Sequence, residues 1–144
     1  MSSNVDTQNN QIDTKLEKNN IKKSKVEYSK INFTEEEKEL IRNEVDLIKE
    51  KYPNYIPIVV RTNPKDKIEI TKTKFLVGQE ITLGQFLLIL RKKIKNVKST
   101  EAIYLMINNT LVPITTQLSL VYNDKKDKET NMLFITICKE NTFG

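Results

Sequence analysis

At 144 residues, the chain has room for one domain with a real core and not for two. Hydrophobic residues make up 38%, charged residues 30%, and the net charge is +5, the balance of a soluble globular protein with a strongly solvated surface. Histidine is absent and Cys138 is the single cysteine. This removes the commonest general base and metal ligand, excludes an internal disulfide framework and fits a reducing compartment.

No apolar run approaches the roughly 20 residues needed to cross a bilayer, and the N-terminus has no apolar signal region. The expectation is a cytoplasmic protein that is not an enzyme and holds no metal or cofactor. Lysine far outnumbers arginine and aromatics are few. Such a diffuse positive surface suits acidic peptides or anionic lipid better than base readout, so no nucleic-acid partner is expected.

Residues 1–33 are rich in Asn, Ser, Lys and Gln, with single scattered aliphatics and no sustained period. Such a stretch buries too little apolar surface to offset its ordering entropy, so it reads as a disordered polar extension. Order begins at Thr34-Glu35-Glu36-Glu37, a capping box. Behind it Ile41, Val45, Ile48 and Tyr52 form one helical stripe, which Pro53 ends. Ile56–Thr62 is a β-branched strand, with Pro57 at an edge or at the strand's beginning. Asn63–Asp66 is turn chemistry, and Lys74–Gly78 is the hairpin partner of the first strand.

Thr82–Gln85 is a second capping box. It opens a helix with Leu83, Phe86, Leu87, Leu90 and Ile94 inward and Lys92, Lys93 and Lys95 in its last turns. A strand over Ile103–Ile107, a turn at Asn108–Thr110, a short return strand at Leu111–Pro113 and a short helix over Thr116–Tyr122 follow. A charged loop at Asn123–Asn131 leads to a closing strand over 132–138. The order predicts an α+β fold, the ubiquitin-like β-grasp: a mixed four-stranded sheet crossed by one helix, with an N-terminal helical extension. The boundaries fall at 1–33 (extension), 34–138 (ubiquitin-like domain) and 139–144 (flexible C-terminal tail).

Several segments share the order and approximate spacing of a known family. They are Lys51-Tyr52-Pro53, Ile56–Val60, Lys74–Val77, Gln85-Phe86 with Leu90–Ile94, Glu101-Ala102, Ile107-Asn108-Asn109 and Glu140–Gly144. Over roughly residues 40–144 the chain resembles the autophagy-related ubiquitin-like modifiers, the GABARAP and microtubule-associated light chain three family. The resemblance implies that Gly144 is the site of lipid conjugation to phosphatidylethanolamine, with Phe143 and Arg91 recognised by the enzymes that handle the tail. It implies E1-like activating and E2-like conjugating enzymes, a delipidating cysteine protease, autophagosome and vesicle membranes as destination, and cargo receptors bearing acidic-hydrophobic peptides as partners. Two acyl chains are what stable anchoring requires, and a bare glycine tail threads a narrow channel without steric conflict. With nothing after Gly144, no priming cut is expected if the chain is the whole gene product.

The same resemblance implies a peptide groove worked by β-augmentation on Lys74–Val77. Its first pocket comprises Glu44, Ile48, Pro57, Lys74, Leu76 and Met132, and its second Phe75, Val77, Phe86, Ile89 and Leu90. Lys72 and Lys74 would draw in acidic flanks. From the residues alone, Ile48, Leu76, Phe86 and Leu90 serve equally as core, and Lys72 and Lys74 serve equally to blunt an edge strand. Arg91 also reads as a solvated charge at a helix end, and Cys138 as an inert structural thiol. Tyr55, Gly78 and Met132 depart from the family pattern, which points to an altered ligand preference. A non-conjugated adaptor of the same fold, binding acidic-hydrophobic peptides or tubulin, is the alternative.

Overall fold

The structure, a computed structural model, describes residues 26–140. Helix α1 spans Glu35–Lys51, strand β1 Tyr55–Thr62 and strand β2 Lys74–Gly78. Helix α2 spans Leu83–Arg91, β3 Ile103–Ile107, β4 Thr110–Leu111, α3 Leu118–Lys125 and β5 Leu133–Lys139. The strands form one mixed sheet in the order β2-β1-β5-β3-β4. The β1–β2 pair is antiparallel, with Ile58 opposite Phe75, and β1–β5 is parallel, with Ile58 opposite Leu133. The α+β β-grasp expected from the sequence is the fold observed, with the two-residue β4 as a fifth strand at the far edge.

Both capping boxes form. The Thr34 amide donates to Glu37 Oε1 at 2.8 Å while the Glu37 amide donates to Thr34 Oγ1 at 3.1 Å. Thr82 and Gln85 do the same for α2. In each case two orphan amides of the first turn are satisfied reciprocally.

The α2 helix ends at Arg91, earlier than the lysine-rich pattern predicts, so Lys92 is its C-cap and Lys93 and Lys95 lie beyond it. There the chain turns back to hydrogen-bond the 63–73 loop, and tertiary pairing overrides helix propensity. The short helix α3 sits slightly later than expected and takes in part of the charged loop. Asn108 and Asn109, both at positive φ, make the two-residue β3–β4 turn. Asparagine tolerates this left-handed region better than most residues.

Period-two alternation splits β1 between two cores. Ile56, Ile58 and Val60 join the large cluster under α2 with Phe75, Leu90 and Ile135, whereas Val59 joins a second cluster with Ile41, Val45 and Met132 under α1. Pro57, near the start of β1, is buried at a point where pairing with β5 has not yet begun, so its missing N–H costs no β5 ladder bond. Gly84 lies where the chain approaches closely: its amide donates to the Ile114 carbonyl at 2.8 Å, and a Cβ there would stand 3.2 Å from that oxygen.

The Tyr122 hydroxyl donates to the Asn131 carbonyl at 2.6 Å and holds the loop before β5. Burial, and then the nearby Asp46 carboxylate, push its phenol up to about 12. A raised folded-state value stabilises the fold below the ordinary tyrosine range and is lost as pH climbs through it. Between pH ~10 and ~12, the wild type should therefore lose about 1–2 kcal/mol more stability than Tyr122→Phe, read as the difference between their denaturant midpoints.

Candidate functional site

Strand β2 is the open edge of the sheet, since its single strand neighbour among the described residues is β1. Its side chains alternate. Phe75 and Val77 point into the α2 cluster, where Phe75 meets Phe86 edge to face at 5.4 Å, while Lys74 reaches the α1 side and pairs with Glu44 at 2.9 Å. A strand laid along this edge would meet the α1 cluster on one face and the α2 cluster on the other. The structure thus gathers the residues assigned to the two pockets on opposite faces of one edge.

The apolar residues of both groups are closed core. Leu76, Phe86 and Leu90 are fully buried, and Ile48, Val77, Ile89 and Met132 nearly so. The accessible rim is polar: Lys72, whose ammonium lies 5.5 Å from the Phe75 ring centroid, together with Lys74 and Gly78. A bound side chain would enter by displacing rim groups, a cost charged against affinity.

One residue of the site was invisible in the sequence. The polar extension was placed at 1–33, yet the chain packs from Val26 onward, and Tyr28 is buried among Ile41, Val45, Val59 and Met132. Its hydroxyl donates to Glu44 Oε2, and Lys74 Nζ sits 4.5 Å above its ring. Tyr28 therefore touches three members of the first pocket and forms its inner wall. Arg61 holds this segment down: its Nη2 donates to the Lys30 carbonyl at 2.6 Å, and its guanidinium stacks 4.1 Å from the Phe134 centroid. Lys30 in turn bonds Glu37 at 2.8 Å, and this contact, ahead of the capping bond, holds that carboxyl below its ordinary range. Isolated aromatics in a polar stretch carry no periodic signal; Glu27-Tyr28 preceding the Thr34 cap was the available clue. The sequence also admits a short helix around Lys22–Tyr28; residues 22–25 lie outside the described residues, and 26–28 are not helical.

A cavity of about 390 Å³ opens beside this segment, lined by Tyr28, Val59, Arg61, Ile70 and Thr73, and it too went unanticipated. Arg91 spans from α2 to the loop before β3, donating to the Glu101 carbonyl at 2.8 Å. Gly144 and Phe143 lie outside the described residues. Cys138 is buried, and that burial, then the Asp66 carboxylate, raises its thiol above the ordinary value, which disfavours a nucleophilic thiolate. Among the described residues, no cluster of metal-ligating side chains occurs and no helix is long and apolar enough to cross a membrane.

Replacing Tyr28 with alanine should cost about 3 kcal/mol, and replacing it with phenylalanine about 1 kcal/mol for the lost hydrogen bond to a carboxylate. Chemical denaturation checks both, and a silent Tyr28→Ala would remove the packed segment from the account.

Comparison with known proteins agrees with this architecture. The family model described as "Autophagy protein Atg8 ubiquitin like" matches residues 41–144. Autophagy-related protein 8e of Arabidopsis thaliana is 42% identical over 102 residues, covering 70% of this chain and 82% of its own length. Autophagy-related protein 8 of Dictyostelium discoideum is 40% identical, covering 72% and 84% respectively. Human microtubule-associated protein 1 light chain 3 gamma is 40% identical, covering 72% and 71%. The crystal structure of Trypanosoma brucei ATG8 superposes with a TM-score of 0.67 at 26% identity, covering 81% of this chain and 97% of that one. In fold and in sequence, the chain belongs to the Atg8 family of ubiquitin-like autophagy proteins.

Proposed function

We propose that this protein is conjugated through Gly144 to phosphatidylethanolamine and, once on autophagosome and vesicle membranes, recruits cargo receptors through the β2 edge. The observation that carries the reading is an edge strand with one open side among the described residues, whose Phe75 and Val77 enter the α2 cluster while Lys74 lies over Tyr28 of the α1 cluster, in a chain of the Atg8 family. In this reading the protein is a substrate of E1-like and E2-like enzymes and of a delipidating cysteine protease, and Phe143 and Arg91 present the tail to them. It requires no cofactor. Two acyl chains supply stable anchoring to a chain in which no helix among the described residues is long and apolar enough to cross a membrane.

In the groove, an extended peptide pairs its backbone with β2 while an aromatic side chain enters beside Glu44, Ile48, Pro57, Leu76 and Met132. An aliphatic side chain three positions after the aromatic enters between Phe75, Val77, Phe86, Ile89 and Leu90. Lys72 and Lys74 attract acidic flanks, which mainly raises the association rate.

Cells expressing Gly144→Ala should lose both membrane puncta and the lipidated gel band. Persistence of both would overturn conjugation, and function retained without Gly144 would leave a non-conjugated adaptor. Titration with an acidic aromatic-x-x-aliphatic peptide should show at least tenfold weaker binding for Lys74→Glu, which sets two carboxylates side by side at Glu44. Leu76→Ala should weaken binding similarly while costing about 2–5 kcal/mol of stability, so its fold must be checked by circular dichroism. Unaltered affinity in the folded variants would exclude this edge as the binding site.

A further inference from the structure

One end of the sheet gathers positive charge that the groove does not use. The loop after β1 and the chain after α2 are tied together there. Thr71 and Lys95 amides donate to the Lys93 and Glu69 carbonyls at 2.8 and 2.9 Å, Asn96 bonds the Glu69 amide and the Lys67 carbonyl, and Ile70 bridges Ile94. This stitching brings Lys65, Lys67, Lys93, Lys95 and Lys98 onto one surface, where Lys93 is half-exposed and the other four are exposed. None of these five forms an ion pair among the described residues.

Several lysines elsewhere are paired. Lys30 pairs with Glu37, Lys38 with Glu35 and Glu129, Lys74 with Glu44, and Lys125 with Asp124. Three carboxylates lie within the basic loops, and two of them accept backbone amides: Asp66 from Lys139 at 2.8 Å and Glu101 from Lys98 at 3.0 Å. Glu69 is the fully solvent-facing acid there.

The C-terminal segment leaves the domain at this same end. Asn63 bonds the Ile137 carbonyl, and the Glu140 amide bonds the Ala102 carbonyl. The described chain therefore ends beside the lysine cluster, where the Lys139 amide meets Asp66.

We propose that this end is a docking face for anionic phospholipid surfaces. Lysines that form no ion pair and outnumber the acids on their surface are attracted to the negative potential of a lipid leaflet, each multiplying affinity about fivefold. The partner of choice is a lipid surface because the tail exits there. On that point alone the inference leans on conjugation at Gly144, since a face beside the anchor would meet the bilayer at every encounter. The contact itself needs no covalent link, and a weak electrostatic contact beside a lipid anchor is the two-signal arrangement that stabilises membrane residence.

Unconjugated full-length protein should cosediment with phosphatidylcholine vesicles rich in phosphatidylserine, but not with vesicles of phosphatidylcholine alone, and added salt should weaken the binding. Lys93→Glu/Lys95→Glu removes two lysines and adds two carboxylates, so it should reduce that binding by more than about 30-fold. Lys51→Glu/Lys128→Glu, an equal charge change away from this end, should reduce it far less. Both pairs are on the solvent side, and unchanged melting temperatures confirm that they fold. Three results would overturn the proposal: no binding to anionic vesicles, equal losses in the two pairs, or tighter binding of single-stranded RNA than of vesicles at matched salt. Gly144→Ala should leave the binding intact, so failure of the conjugation reading and failure of this one are read separately.

Discussion

The architecture rests on the two-sided burial of β1. Its alternating residues leave no solvent face: Ile56, Ile58 and Val60 serve the α2 core, and Pro57 and Val59 the α1 side. A strand buried on both faces must be covered by helices on both, which fixes α1 and α2 on opposite sides of the sheet. It must also be flanked by strands to satisfy its backbone, which fixes β2 on one side and β5 on the other. The open β2 edge, with one core above and one below, follows from that arrangement. The proposed peptide groove would thus be a by-product of how β1 is buried, which is why its apolar lining cannot be told from core by composition.

The segment before α1 belongs to the same logic. Arg61 is the β1 residue that falls on the α1 face beyond the reach of the helix, and burial lowers its tendency to hold a proton. Its guanidinium finds backbone carbonyls of residues 28 and 30 and the rings of Phe33 and Phe134. A half-buried cation in an otherwise apolar face costs free energy unless it is saturated with acceptors, and the N-terminal strap supplies them. Through the same strap Tyr28 reaches Glu44 and Lys74. The electrostatic state of the groove's rim is therefore coupled to a stretch of chain that looks dispensable by composition.

What the sequence made legible were features with local signatures. Thr34 and Thr82, each followed three residues later by Glu37 or Gln85, marked both helix starts, and alternation marked β1, β3 and β5. The paired asparagines marked the hairpin turn. Poorly legible were features made by distant partners. Lys92, Lys93 and Lys95 look helical by propensity but are recruited to the 63–73 loop by long-range backbone bonds. Tyr28 has no periodic neighbours, and its burial depends on Val59 and Met132, far along the chain. In the site, residue identities were readable through family resemblance, whereas the closed state of the apolar residues and the aromatic wall beside Glu44 depend on packing that no local pattern encodes.

The parallel register of β1 against β5 carries a consequence for biosynthesis. The central ladder of the sheet joins Ile58 to Leu133 and Thr62 to Ile137, so the strand that fills the middle of the sheet is the last of the five described strands to be synthesised. Until it does, β1 presents one unpaired edge and part of two unfinished apolar clusters to the surroundings. Non-local pairing of this kind slows folding and prolongs exposure of aggregation-prone edges. The nascent chain is therefore most vulnerable just before its final strand emerges, and any cut that removes β5 leaves a sheet split down its centre.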